Sequence, residues 1–164
     1  MEIEILKKEN TPENVIEHCQ AVCDKAIAIA NNFEDANMEL IKQGALLHDI
    51  GRSKTHGIQH AVEGAKIVKN YGYPEEVQNI VERHIGAGLV EKEAEKLGLP
   101  KKSYVPQTIE EKIVAHADNL LSGTEDVDID FVISKWRRKI DNPDEDIERL
   151  IKLDNELIKA FEDD

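Results

Sequence analysis

Apolar residues recur every three or four positions along nearly the whole chain, which predicts helices throughout. Ile3 and Leu6 favour a helical turn over Glu2–Lys8. Thr11-Pro12 is a start signal, with threonine as cap and proline in the first position. Val15, Cys19, Val22, Ala26, Ile29, Ala30 and Phe33 then mark one face of a long helix, with His18 beside that stripe. Asp35 is the expected cap of a second helix, running through Met38, Ile41, Ala45 and Leu46 to His48-Asp49. Gly51 suits a left-handed stop there. Residues 52–59 read as a polar loop. A third helix covers about 60–71 and ends at Gly72. Pro74 opens a fourth, with Val77, Ile80, Val81 and His84 inward, and Gly86 and Gly88 loosen it. A charged helix over 91–97 is closed by Gly98, and 99–107 is a loop. Thr108-Ile109-Glu110-Glu111 matches a capping box, and its helix carries Ile113, Val114, Ala117, Asp118 and Leu121 before Gly123. Two closing helices cover 128–140 and 143–161, the last capped at Asn142-Pro143-Asp144-Glu145. The fold class is all-α, an irregular helical bundle. One domain is expected over 1–164, with its core in about 12–123 and the closing helices in 128–162.

Charge narrows the partners. Lys and Arg total 21 against 34 Asp and Glu, a net charge of −13. Such a field disfavours non-specific binding to a nucleic-acid polymer or an anionic membrane. It leaves room for a small phosphorylated substrate, because bound divalent cations invert the local field. Cys19 and Cys23 lie four apart on one predicted helix, with no second pair, and read as small buried side chains. No stretch is long and apolar enough for a signal peptide or a membrane span, so the expected location is the cytoplasm. The closing helices leave a homo-oligomer open.

His48-Asp49 is the chemical focus: two metal-ligating side chains where an apolar helix ends. His18, His60, His84 and Asp118 sit at inward positions of four other predicted helices, and helices can bring one inward position each to a common centre. Residue types and spacing alone indicate a candidate metal site. His116 is two positions from Asp118, about 200° around the same helix. It should face away.

The order His, then His-Asp, then a distant Asp resembles the HD-domain superfamily of metal-dependent phosphohydrolases. His48-Asp49-Ile50-Gly51 is the HDIG variant of its signature, and the resemblance spans Val15 to Leu121. The family's mononuclear motif falls on His18, His48, Asp49 and Asp118. Gln59-His60-Ala61-Val62-Glu63-Gly64-Ala65 and Val81-Glu82-Arg83-His84 resemble the extra histidine segments of dinuclear members. Those members include the HD-GYP phosphodiesterases and the symmetrical dinucleoside-tetraphosphate hydrolases. The GYP signature itself is absent.

The resemblance implies an HD-type bundle and hydrolysis of a phosphate ester of a small metabolite: nucleotide-like, a cyclic phosphate or a dinucleotide. It implies one or two divalent transition-metal ions: His18, His48, Asp49 and Asp118 on the first, with Asp49 bridging to a second held by His60 and His84. Mixed imidazole and carboxylate ligation suits iron, manganese, zinc, cobalt or nickel. Arg52 and Lys54 are candidates to bind phosphate, Arg52 with two donors. His56 can protonate a leaving oxygen, and Ser122 can contact substrate. Lys101 and Lys102 are either a flap or solvated. Trp136 is expected in the core, ahead of a basic helix end at Arg137-Arg138-Lys139. Two other readings share the fold: a regulatory module without turnover, and a di-iron oxygenase of the inositol-oxygenase kind.

Overall fold

The computed structural model of the chain describes residues 1–162, so the last two residues of the expected 1–164 domain lie outside the described residues. The elements in order are α1 (Glu2–Lys8), α2 (Glu13–Ala30), α3 (Met38–Leu47), a 3-10 turn (Ile50–Ser53), α4 (His60–Asn70), α5 (Glu75–Glu82), α6 (Glu91–Lys96) and α7 (Ile109–Asn119). A two-residue hairpin follows, β1 (Leu121–Ser122) paired antiparallel with β2 (Glu125–Asp126). Then come α8 (Ile129–Lys139), α9 (Asp144–Leu157) and a last 3-10 turn (Lys159–Phe161). The class is all-α. No helix among the described residues is long and apolar enough to cross a membrane.

The apolar stripe of α2 explains its central place. It packs on α3 on one side and α7 on the other, while α5 covers α3 and α4. Val22, Ala26, Ile41, Ala45, Ile80, Ile113 and Val114 form the main core, which α8 and α9 extend through Val132, Leu150 and Leu157. A second cluster of Leu6, Cys19, Leu47, Ile50 and Val68 ties α1 to the far end of α2. Aliphatic side chains dominate both, as the scarcity of aromatics requires. Cys19 and Cys23 are free and buried.

Four local expectations fail for traceable reasons. Helix α2 begins at Glu13, so Thr11 sits one residue too early to cap it; Pro12 takes that place with no side-chain bond. Asn37, not Asp35, caps α3: its Oδ1 accepts from the Leu40 amide at 3.1 Å. Asn142 bends the chain with φ 53° ahead of α9, whose N-cap is Pro143 with no side-chain bond. Gly51 is not left-handed. It lies within the 3-10 turn, where a Cβ would stand 1.7 Å from the carbonyl oxygen of His60. That glycine exists for a close approach of two backbones. At Thr108 the threonine oxygen accepts from the Glu111 amide at 3.1 Å as the sequence predicts, but the Glu111 carboxylate accepts from the Gln107 amide and Arg83.

His116 faces away from Asp118, as the helix rotation requires. It is fully buried, and its Nε2–H donates to Asp154 on α9 at 2.9 Å. Replacing His116 by alanine leaves a buried carboxylate unpartnered. Denaturant unfolding should show a loss of about 1–3 kcal/mol, with metal content unchanged. An unchanged midpoint would mean the pair contributes nothing net.

Candidate metal centre

The site is built where helices end. Helix α3 stops at Leu47 and the chain tightens into the 3-10 turn, so His48 and Asp49 sit on the junction. That change of winding lets neighbours in sequence face one point. His18 comes from the second turn of α2, His60 opens α4, His84 follows α5, and Asp118 is one residue from the end of α7.

Each of the four imidazoles is fixed by a carbonyl. Nδ1–H of His18 donates to Gly123 at 2.6 Å, of His48 to Ala45 at 2.6 Å, of His60 to Gly57 at 2.8 Å, and of His84 to Val81 at 2.6 Å. Such bonds set the tautomer and turn all four Nε2 atoms inward. Asp49 stands between them. Its Oδ1 is 3.2 Å from Nε2 of both His60 and His84; its Oδ2 is 3.6 Å from His18 and 3.5 Å from His48. Asp118 Oδ1 closes the second group, 2.8 Å from His18 and 3.5 Å from His48.

Two observations test whether these donors fit cations. Nε2 of His48 is buried and makes no hydrogen bond. An unmatched polar atom at zero exposure is costly unless something charged meets its lone pair. Nε2 of His60 and of His84 also face each other at 3.1 Å, although both rings already spend their Nδ1–H on backbone. Two lone pairs so placed repel unless a proton or a cation lies between them. The ligand atoms of His18, His48 and Asp118 lie within 4.8 Å of one another, as do those of His48, Asp49 and His84. A mixed nitrogen and oxygen donor set of this kind fits a divalent transition metal.

The electrostatics are those of a proton competing with a cation. Burial pushes Asp49 upward, but cationic His48, with His60 and His84 beside the carboxylate, holds it well below the usual carboxylate range. Burial likewise opposes the charge on Asp118, and His18 and His48 outweigh it, keeping that carboxyl low. Burial disfavours charge on His48, yet Asp49 beside it drives the imidazole well above its ordinary value. His18 is raised by its bond to Asp118 despite burial, and His84 is lowered by burial. Protons on His18 and His48 must leave before a metal takes Nε2. Zinc affinity should therefore rise from about pH 6 to about pH 8, with protons released on binding. Titration calorimetry in two buffers of different ionisation enthalpy reads that release; an affinity flat across this range contradicts it.

The flanking candidates separate. Arg52 reaches the centre, its Nε 3.5 Å from Asp49 Oδ2 and its Nη1 donating to the His56 carbonyl at 3.2 Å. Lys54 does not: it is exposed, 3.8 Å from Glu9 just past α1, and lines neither cavity at the centre. The polar loop turns it outward. His56 is exposed at the rim of one cavity. Ser122 lines the other, from strand β1 rather than from the helix of Asp118, because α7 ends at Asn119. Lys101 pairs with Glu91 and Glu95, and Lys102 with Glu82; neither covers the entrance.

Two cavities share His18, Asp49, Arg52 and Gly123. One, of about 320 Å³, runs under α8 past Asn119, Phe131, Lys135 and Trp136. The other, of about 470 Å³, opens toward Asn14, Glu17, His56 and Thr124. A larger groove of about 560 Å³ between α1 and residues 71–74 touches none of the six. Sequence reasoning missed the α8 wall. Trp136, expected in the core, packs half-buried against its edge and also lines the site. Phe131 carried no signal; only its exposure beside the centre marks it.

Residues 15–123 match the family model of the HD domain. An uncharacterized protein of Methanocaldococcus jannaschii is 51% identical over 149 residues, covering 88% of each chain. A tRNA (cytidine(56)-2'-O)-methyltransferase of Thermoplasma volcanium is 45% identical over 151 residues, 92% of this chain, and the chain spans 44% of that enzyme's length. Among solved structures, the HD domain of the L. monocytogenes phosphodiesterase PgpH in complex with cyclic-di-AMP has a TM-score of 0.59 over 98% of each chain, at 20% identity, a likeness of fold. All six converging side chains fall within the matched region, while α8 and α9 lie beyond it. With most of its length matched and the His, His-Asp, Asp order in place, the chain belongs to the HD domain family.

Proposed function

We propose that the chain is a metal-dependent phosphohydrolase acting on a small phosphorylated metabolite, with a phosphodiester as the favoured ester. The observation that carries this is the division of Asp49: one carboxylate oxygen faces His60 and His84, the other faces His18 and His48. His18, His48, Asp49 and Asp118 would hold one divalent ion, and Asp49, His60 and His84 a second. Bound there, such ions neutralise phosphoryl oxygens and lower the pKa of a bound water from about 15.7 toward 7.

The chain's own groups do the rest. Arg52 stands at the centre, where its fork can hold a phosphoryl oxygen that the carboxylates would otherwise repel. The two cavities flank the same point, so an ester with an organic arm on each side fits better than one with a single arm. His56, at the rim of the second cavity, is the proton donor for a leaving oxygen there. The net charge of −13 favours a small ligand over a polymer. The Thermoplasma relative's name concerns tRNA, so a short RNA belongs in the test. So does a cyclic dinucleotide, which the PgpH domain binds.

The test is a panel of phosphomonoesters, linear and cyclic phosphodiesters and a short RNA, each with manganese, zinc, cobalt, nickel or iron(II) under nitrogen. Metal-dependent release of product, lost in Asp49→Asn, is expected for at least one small diester. Turnover that needs iron and oxygen points to the oxygenase reading, and no turnover with any metal overturns hydrolysis altogether.

A further inference from the structure

The cavity under α8 has a wall that the metal centre does not use and that the core accounts for only in part. Phe131 is 46% exposed, a large apolar side chain at the lip of a charged site. Trp136 lies five residues further along α8, and a Cβ on Gly86 would be 3.4 Å from its ring. The indole is thus held against the segment that follows His84. Lys135 lies in the same wall. Two aromatic side chains and a cation beside the candidate metal centre suit a flat ring carrying polar edges. A sugar alone would leave the faces in water; an acyl chain would strand Lys135, Asn119 and Ser122.

Asn119 supplies the edge contact. Nε2–H of His116 is committed to Asp154, so its Nδ1 bears a lone pair. That lone pair takes the Asn119 amide NH2, at 3.4 Å. That contact orients the amide and leaves its oxygen and its second N–H to meet a ligand. An acceptor beside a donor selects a ring edge that presents N–H next to a ring nitrogen or carbonyl.

We propose that Phe131, Trp136 and Asn119 form a nucleobase subsite, and that the organic arm of the substrate on this side of the metal centre is a base-bearing nucleoside. The subsite rests on the hydrolase reading for its phosphate neighbour, but its test does not depend on turnover. Trp136 is the only tryptophan of the chain, so its fluorescence reports directly on the wall. The full chain is titrated with AMP, GMP, CMP, UMP and ribose 5-phosphate. At least one nucleotide should quench Trp136 saturably, and ribose 5-phosphate should bind at least about tenfold more weakly, the loss expected when a stacked base is missing. Phe131→Ala should weaken the nucleotide by a similar factor; its exposure means the fold survives the change. Asn119→Ala should narrow the spread among the four bases. Equal affinity for ribose 5-phosphate and every nucleotide, or no effect of Phe131→Ala, overturns the subsite. Hydrolysis of a diester without base-dependent quenching sinks the subsite and spares the hydrolase reading; quenching without turnover does the reverse.

Discussion

Replacing Asp49 by alanine should abolish the proposed hydrolysis and strip the protein of bound metal. The reason is position rather than charge alone. One carboxylate serves two groups of imidazoles, with Oδ1 at 3.2 Å from His60 and His84 and Oδ2 at about 3.5 Å from His48. No other acid among the described residues contacts both groups, since Asp118 reaches only His18 and His48. Loss of the carboxylate should therefore weaken both candidate ion sites together. Metal-derived stabilisation of a phosphoryl transition state is several kcal/mol, so the rate should fall by at least about 10³-fold. Elemental analysis of the purified protein should read near zero metal per chain. Asp49→Asn keeps the shape and removes the charge, which separates ligation from folding. Should Asp49→Asn retain two metals and the full rate, the bridging assignment is wrong.

The sequence made much of this arrangement legible, and the reasons differ by level. Periodicity was enough for the helices because each buries a single stripe, as α2 does with Val22 and Ala26. Convergence of the six candidate ligands was legible only because a family shares their order; periodicity places His18 beside a stripe but cannot aim it at Asp118. Helix ends were the weak point. Thr11, Asp35 and Asn142 all have capping side chains, yet the chain starts its helices one to two residues later, where tertiary packing allows. The hairpin over 121–126 is too short to leave a strand pattern, and it moved Ser122 off the helix. Lys54 and Arg52 are two apart in one loop and look alike in sequence. Only the tight 3-10 turn sends one inward and the other to Glu9. The α8 wall was invisible for a different reason: an apolar residue on an amphipathic helix reads as core, and nothing local says that Phe131 and Trp136 face a cavity.

Gly51→Ala should be among the most damaging single changes outside the ligands themselves. The added methyl would stand 1.7 Å from the His60 carbonyl oxygen, 2.7 Å from its carbon and 2.8 Å from the Gly64 amide nitrogen. All three are backbone atoms, so no side chain can swing aside. The first turn of α4 must move, and His60 opens that turn. Overpacking against backbone should cost about 3 kcal/mol or more, near the upper end for a single methyl. The same shift pulls His60 Nε2 away from Asp49 and His84, which it now meets at 3.2 and 3.1 Å. Where the variant folds at low temperature, it should behave like His60→Ala, keeping the metal of His18, His48 and Asp118 while losing the other. Gly51→Asn distinguishes this from the helix-stop explanation of the HDIG glycine. Asparagine tolerates a left-handed stop and would be mild there. Against a backbone clash it must be at least as harmful as alanine. Thermal unfolding of the two variants side by side, with metal content read on each, decides between them: a near-native Gly51→Asn means that the close approach to α4 is not what the glycine is for.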